Sequence, residues 1–515
     1  MYTRSLHPCH RASVDGSPAI SVVLGDHSRP GGKVRVLPAC RRCDSLSSDK
    51  APRLMPLKIP EGLVVSVSGF RGRVGDPLTP ELVCALAAAF GASLRAAAGD
   101  GTLIIGRDSR TSGAMLSMSA ASGLLSVGCD VVDLGIVATP TLMLEVERSG
   151  ALGGIQVTAS HNPAEWNALK LAAPEGTFLD ADTMAAFLRF ATEEDPKRAA
   201  WDDLGSLMTD HGAAERHLES VLELPLVDVE AIRSREFKVA LDCVRGAGAT
   251  IMPALLEALG CRVVGIHTDM DGHFPRDPEP TAENLQELGQ LVRQEGADLG
   301  LAVDPDVDRL SLVNERGEPV GEDLTLALAA AVVLRRTPGV VVTNLSTSQV
   351  VEDVARAHDS RVIRSSVGEI NVARRMQSEG AVIGGEGNGG VIFPRLHYTR
   401  DAPVGAALIL QLLVDEGASL SEAVAQWPSY VIVKRKVDFP RDVLAEAYDV
   451  LEERLEGEEV NREDGLRLYW SSRRAWLHVR PSGTEPIVRL IAEALTRGEA
   501  EELIESAASV LTGLV

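Results

Sequence analysis

The stretch DPDVDR places carboxylates at Asp304, Asp306 and Asp308, between the apolar runs LGLAV and LSLV. Alternate aspartates in a loop between two strands repel one another, and a divalent cation is the usual remedy. Glu315 falls at the last ligand position of an EF-hand numbering. However, Arg309 stands where that loop needs glycine, and the flanks read as strands, so the EF-hand reading fails. A solvated acidic turn is the bland alternative. Three carboxylates leave room for one more anionic ligand and favour Mg2+, which takes carboxylate and phosphate oxygens together. A second stretch, VTASHNPAEWNALK, sets Ser160 beside His161. The G-x-S-x-G elbow of serine hydrolases is absent, because Thr158 and Asn162 hold its glycine positions. A phosphorylated Ser160 bound to the metal would instead be a stored phosphoryl group, with Lys170 serving the oxygen under attack.

Two further stretches suit a sugar phosphate. In RPSGTEPIVRL, the turn Ser482, Gly483 and Thr484 can cradle a phosphate with its N–H groups and hydroxyls, between the guanidinium forks of Arg480 and Arg489. An ordinary turn with surface arginines is the competing reading. In GGEGNGGVIFPRLHYTRD, closely spaced glycines let the backbone approach a ligand, while Glu386 and Asn388 offer groups for sugar hydroxyls. A flexible loop would also explain those glycines.

Repeated α/β units are predicted to position these residues. TLIIG, KVALD and VVVTN are apolar strands, each followed by a polar or Gly/Ser-rich turn, a helical run and a second strand. Three such βαβ signatures predict three similar α/β domains with mostly parallel sheets. From about residue 429 the pattern changes to alternating strands such as YVIVKRKVDF and a closing helix over EAEELIESAASVL, predicting a small α+β domain. The expected division is 55–205, 206–313, 314–428 and 429–515.

Residues 1–54 stand apart. They carry nine Lys/Arg against four Asp, are rich in Ser, Pro and Gly, and hold no apolar run long enough for a signal peptide. They read as a disordered arm, a leader or upstream translated sequence. A lone CxxC at Cys40 and Cys43, with His7, Cys9 and His10 upstream, lacks the second spaced pair that a zinc site needs. Cys84, Cys129, Cys243 and Cys261 read as buried free thiols of a reducing compartment. The whole chain, at 515 residues, carries a net charge of −22, which argues against a nucleic-acid surface. Uncharged apolar runs such as LTLALAAAVVL stop short of the roughly 18 residues of a membrane span. A soluble, cytoplasmic protein is expected.

In this order, TASHNP, DPDVDR, GEGNGG and RPSGTEP resemble the α-D-phosphohexomutases, the superfamily of phosphoglucomutase, phosphomannomutase and phosphoglucosamine mutase. The similarity runs from about Val65 to the C-terminus and takes in SGFRG, IGRDSRTSG, GIVATPT and SSVGE. It implies three similar α/β domains with mixed, mostly parallel sheets and a smaller C-terminal α+β domain around a central cleft. It also implies that phosphoserine at Ser160 gives its phosphoryl group to a hexose monophosphate, that a hexose 1,6-bisphosphate turns over, and that the group at the other end returns to the serine. By motif match, Asp304, Asp306 and Asp308 hold Mg2+ with phospho-Ser160, and Arg71 and Lys170 flank the transfer. Arg309, Glu386 and Asn388 then meet the sugar, and Arg480, Ser482, Gly483, Thr484 and Arg489 hold the non-reacting phosphate. His161 is expected to be structural rather than a base.

Two positions depart from the family pattern. Gly390 stands where many members carry a histidine, and Asn167-Ala168-Leu169-Lys170 replaces Asn-Gly-x-Lys. The GEGNGG loop looks like the branch often assigned to phosphoglucosamine mutases, with phosphomannomutase/phosphoglucomutase as the alternative. From other classes, a Mg2+-dependent sugar phosphatase and a silent sugar-phosphate binding protein remain. The sequence is silent on oligomeric state.

Overall fold

A computed structural model describes residues 53–482 and 487–514. The expected extension 1–54 and the CxxC at Cys40 and Cys43 therefore lie almost wholly outside the described residues. The described residues begin slightly before the expected boundary. Arg53 bridges to Lys197, and Leu54, 7% exposed, donates its N–H to the Pro196 carbonyl at 2.8 Å.

The three predicted βαβ units all form. Thr102–Arg107 pairs parallel with Asp130–Ile136, Lys238–Asp242 with Arg262–Ile266, and Val340–Asn344 with Arg361–Ser365. In each sheet the same strand also pairs parallel on its other edge, with Gly153–Val157, Leu299–Val303 and Ile383–Glu386 respectively. Each of those three then turns back into an antiparallel neighbour: Trp166–Ala172, Leu310–Val313 and Gly390–Ile392. The three return turns hold TASHNP, DPDVDR and the centre of GEGNGG. Repetition of one topology thus puts the first three motifs at equivalent places, which single-segment patterns did not show.

The first sheet gains the hairpin Val64–Ser66 and Gly69–Arg73 beyond Trp166–Ala172. Gly69 is required there: its φ is 108°, and a Cβ would overlap the Leu169 carbonyl oxygen. The fourth sheet is five-stranded and wholly antiparallel, as expected of the C-terminal domain. Its strand Ile487–Ala494 was hidden in the sequence behind the turn motif that precedes it.

Cores follow the layers. Two apolar clusters fill the faces of the first sheet, the smaller one with the helix Thr139–Ser149, and another fills the C-terminal domain. The second and third sheets share a single cluster that runs through the helices Glu322–Arg336 and Ala402–Glu416, so those two domains are not separate cores. Pro80–Ala98 is long and apolar enough by length and composition to cross a membrane, a run the sequence reading passed over. It packs against Gly113–Leu125 and Ala181–Glu193 and buries Val83 and Leu86 through Ala92 in the first core. Cys129, Cys243 and Cys261 are buried free thiols as expected, whereas Cys84 is only half-buried.

Candidate active site

The Ser160 turn is built around Arg110, whose guanidinium is buried beneath it. Arg110 donates to the carbonyls of Ser160, Asn162 and Pro163 at 2.6 Å and of Trp166 at 3.0 Å. Asp108 balances that charge at 3.0 Å and accepts from Thr158 Oγ1 at 2.6 Å. Such over-determination holds Ser160 at φ 49°, a left-handed conformation that non-glycine residues rarely adopt. Its hydroxyl, 3% exposed, thereby points at Asp304 Oδ2, 2.9 Å away and 144 residues on.

The aspartate turn meets it fully buried. Each carboxylate has one oxygen engaged by donors that keep it in place. Asp304 Oδ1 accepts the N–H groups of Asp308 and Arg309 at 3.1 and 3.2 Å. Asp306 Oδ2 accepts from Lys170 Nζ and Thr139 Oγ1, both at 2.6 Å. Asp308 Oδ2 accepts from Arg400 Nη2 at 2.7 Å, with Lys170 Nζ at 3.5 Å. The remaining oxygens differ from these. Among the described residues, Asp304 Oδ2 accepts from the Ser160 hydroxyl alone, and the buried Asp306 Oδ1 and Asp308 Oδ1 have no hydrogen-bond partner, although Arg309 Nε stands 3.7 Å from Asp308 Oδ1. One oxygen from each aspartate lies within 4.8 Å of the others. Buried, unpartnered carboxylate oxygens are costly unless something binds them. Three single oxygens beside a serine hydroxyl fit a small, oxygen-seeking ion such as Mg2+. Glu315, the residue that an EF-hand would use, turns away to accept from the Ser421 N–H at 3.2 Å.

Charge in this pocket sets protonation. Burial, then Asp308 and Asp306, push Asp304 well above the carboxylate range. Against the same burial, Lys170 and Thr139 hold Asp306 well below it. Lys170 is 3% exposed; burial favours its neutral form, but Asp306 and Asp308 outweigh it and keep it an ammonium. The His161 Nδ1 stands 3.4 Å from Ser160 Oγ, yet Arg309, burial and Arg71 depress His161 to about 2. It is therefore neutral near pH 7 and a weak base.

A cavity of about 370 Å3 opens over these groups. Ser160, Lys170, Arg71 and Arg309 line one side, and Glu386, Asn388, Arg480 and Arg489 the other. Arg71 Nη1 holds Asn162 Oδ1 at 2.5 Å, and Arg309 Nη1 holds Glu279 Oε1 at 2.8 Å. Glu386 accepts from Asn344 Nδ2 at 2.8 Å and from the Gly368 N–H at 3.1 Å, which fix its carboxylate. In the C-terminal sheet, Lys436, Arg489 and Arg480 lie directly opposite one another across three strands. Aligned like charges oppose one another in a sheet, and Asp464 Oδ2 offsets part of that charge 3.1 Å from Arg480 Nε. Ser482 is buried, with its carbonyl accepting from Arg441, while Gly483 and Thr484 lie outside the described residues.

Sequence profiles of the phosphoglucomutase/phosphomannomutase family match this chain in all four parts. Its α/β/α domains I, II and III match residues 63–198, 215–317 and 321–430, and its C-terminal domain matches residues 431–510. The chain belongs to this family. It is 39% identical over 456 residues to a protein of Methanopyrus kandleri described as "Probable phosphoglucosamine mutase", covering 86% of this chain and 96% of that one. A "Phosphoglucomutase/phosphomannomutase" of Thermococcus kodakarensis is 37% identical, covering 86% and 97%. Among solved structures, a phosphoglucomutase/phosphomannomutase family protein of Burkholderia thailandensis superposes with a TM-score of 0.75 at 26% identity, covering 87% and 98%.

Set in this family, the two departures are local. Ala168 sits in strand Trp166–Ala172 opposite Arg71, and Lys170 still reaches the aspartates from the same strand. Sequence reasoning missed Arg110, Thr139, Lys434 and Arg400. Arg110 and Thr139 stood inside quoted motifs, but nothing in their spacing distinguishes a brace from a surface side chain. Lys434 lines the cavity from strand Val431–Asp438, whose alternating pattern marked it only as exposed.

Proposed function

We propose that the protein is a phosphohexomutase that interconverts glucosamine 6-phosphate and glucosamine 1-phosphate through a phosphoserine at Ser160 and a hexose 1,6-bisphosphate. The observation that carries this reading is the Ser160 hydroxyl 2.9 Å from Asp304, in one cavity with Lys170, Glu386, Arg480 and Arg489. Asp304 Oδ2, Asp306 Oδ1 and Asp308 Oδ1 would hold Mg2+. When bound, that ion neutralises charge on the phosphoryl oxygens.

The chain's own residues do the rest. Arg110 fixes the turn so that Oγ faces the aspartates. Lys170, as an ammonium, hydrogen-bonds the sugar oxygen that gains or loses the phosphoryl group, and Arg71 steadies the turn through Asn162. Glu386 and Asn388 orient the ring hydroxyls with Arg309 beside them. Arg480 and Arg489, with Ser482, Gly483 and Thr484, receive the phosphate at the far end. In each half-reaction the O–P bond breaks on one side and forms on the other. The proton lost by the accepting hydroxyl is made good on the departing oxygen. A cleft that excludes water protects the phosphoserine from hydrolysis.

The sugar assignment rests on the GEGNGG loop and the Methanopyrus relative; the Thermococcus relative keeps phosphomannomutase/phosphoglucomutase as the second reading. The buried free thiols fit a reducing compartment, and we place the enzyme in the cytoplasm with sugar phosphates as its partners. The domain limits 55–205, 206–313, 314–428 and 429–515 stay part of the proposal. The test is kcat/KM for glucosamine, glucose and mannose phosphates side by side. Glucosamine phosphate should lead, and a mannose preference of about tenfold, about 1.4 kcal/mol in transition-state binding, would overturn the sugar. Net release of inorganic phosphate without a bisphosphate requirement would mark a phosphatase instead. Binding without turnover would mark a silent sugar-phosphate receptor.

A further inference from the structure

Arg400 draws three buried carboxylates from two domains onto one guanidinium. Its Nη2 donates to Asp308 in the aspartate turn at 2.7 Å, its Nη1 to Glu386 of the sugar loop at 2.9 Å, and its Nε to Glu369 at 3.1 Å. The backbone at this position is equally fixed. Arg400 N–H donates to Glu369 Oε1 at 3.0 Å, and Asp401 N–H to the Val391 carbonyl at 2.8 Å. Asp401 itself accepts from His217 and His397, both at 2.8 Å, so the side chain springs from an immobile root.

Gly390 has no left-handed φ to explain its glycine, unlike Gly385 and Gly389 before it. Its reason is space, because a Cβ there would overlap Arg400 Cδ. The stem of Arg400 occupies the volume that any side chain at 390 would fill.

We propose that Arg400 is a positioning residue that locks the sugar loop to the aspartate turn, and that Gly390 exists to admit it. This rests on the phosphohexomutase reading for its kinetic consequences. Arg400 takes Asp308 Oδ2 and so leaves only Oδ1 for a metal, which favours Mg2+ over the higher coordination of Ca2+.

The test is a double-mutant cycle with a separate metal readout. Arg400→Lys keeps the charge but cannot span three carboxylates, and should lower kcat/KM by about 100-fold. Gly390→Ala should cost about tenfold or more with Arg400 present, and less than about threefold in Arg400→Ala. Should Arg400→Ala fail to fold, Arg400→Ser, which also lacks Cγ and Cδ, takes its place in the cycle. Calorimetry on unphosphorylated protein, with no turnover involved, should show Arg400→Lys moving Mg2+ versus Ca2+ preference about tenfold toward Ca2+. Activity of Arg400→Lys within about threefold of wild type, equal costs of Gly390→Ala in both backgrounds, or an unchanged ion preference would each overturn the lock. An inactive wild type would sink the mutase reading, while the ion preference would still decide the role of Arg400.

Discussion

The aspartate turn, which meets Ser160 and Lys170 behind the cavity, and the arginines Arg480 and Arg489, which line it from the C-terminal sheet, are built in opposite ways. Asp304, Asp306 and Asp308 are fully buried, and each has one oxygen held by a backbone or side-chain donor. Arg489 is exposed, and Arg480 keeps 20% of its side chain in solvent beside Asp464. Where a bond is made and broken, groups must be fixed and dry, because misplacement and water are both costly there. Where a phosphate is only gripped, exposed guanidinium forks suffice and can meet the ligand in more than one orientation.

Substitutions at the two ends should therefore fail differently. Ser160→Ala removes the acceptor of the phosphoryl group and should cut kcat by about 10⁴-fold or more, with the fold intact by circular dichroism. Arg110→Ala strips the brace from four carbonyls and leaves Asp108 buried without its cation. A loss of about 3–5 kcal/mol in urea unfolding is expected, with activity falling alongside. At the gripping end, Arg489→Ala should raise KM by about 10–100-fold and change kcat less. Equal losses of kcat at both ends would erase the distinction.

The smallest effect is expected at His161. Because His161 is depressed to about 2 in the fold, the unfolded chain takes up a proton near its ordinary value of 6.5 that the folded protein refuses. Stability therefore falls as pH drops below about 6.5 and continues to fall toward the depressed value. His161→Gln should flatten part of that slope while leaving the pH profile of kcat/KM unchanged. A shifted activity profile would restore His161 as an acid or base.

Composition carried the chemistry in this sequence, and three-dimensional closure carried the support. Three alternate aspartates announce a cation wherever they lie, and SHNP beside a distant DPDVDR could be paired on chemical grounds alone. Short apolar runs followed by Gly- or Ser-rich turns likewise announced the parallel strands Lys238–Asp242 and Val340–Asn344. Arg110 and Arg400 carry no such mark. Their function lies in which carbonyls and carboxylates they reach, and those partners come from other turns and other domains. The shared core of the second and third sheets was hidden for the same reason, since Glu322–Arg336 and Ala402–Glu416 each look like ordinary apolar helices.

The central claim is that Ser160 stores a phosphoryl group for delivery beside the three aspartates. Intact-protein mass spectrometry after incubation with glucose 1,6-bisphosphate reads this directly, followed by peptide mapping and a chase with glucosamine 6-phosphate. One added phosphoryl group, about 80 Da, should map to Ser160, vanish during the chase and be missing from Ser160→Ala. A turning-over enzyme that never gains that mass, or gains it equally in Ser160→Ala, would contradict the account.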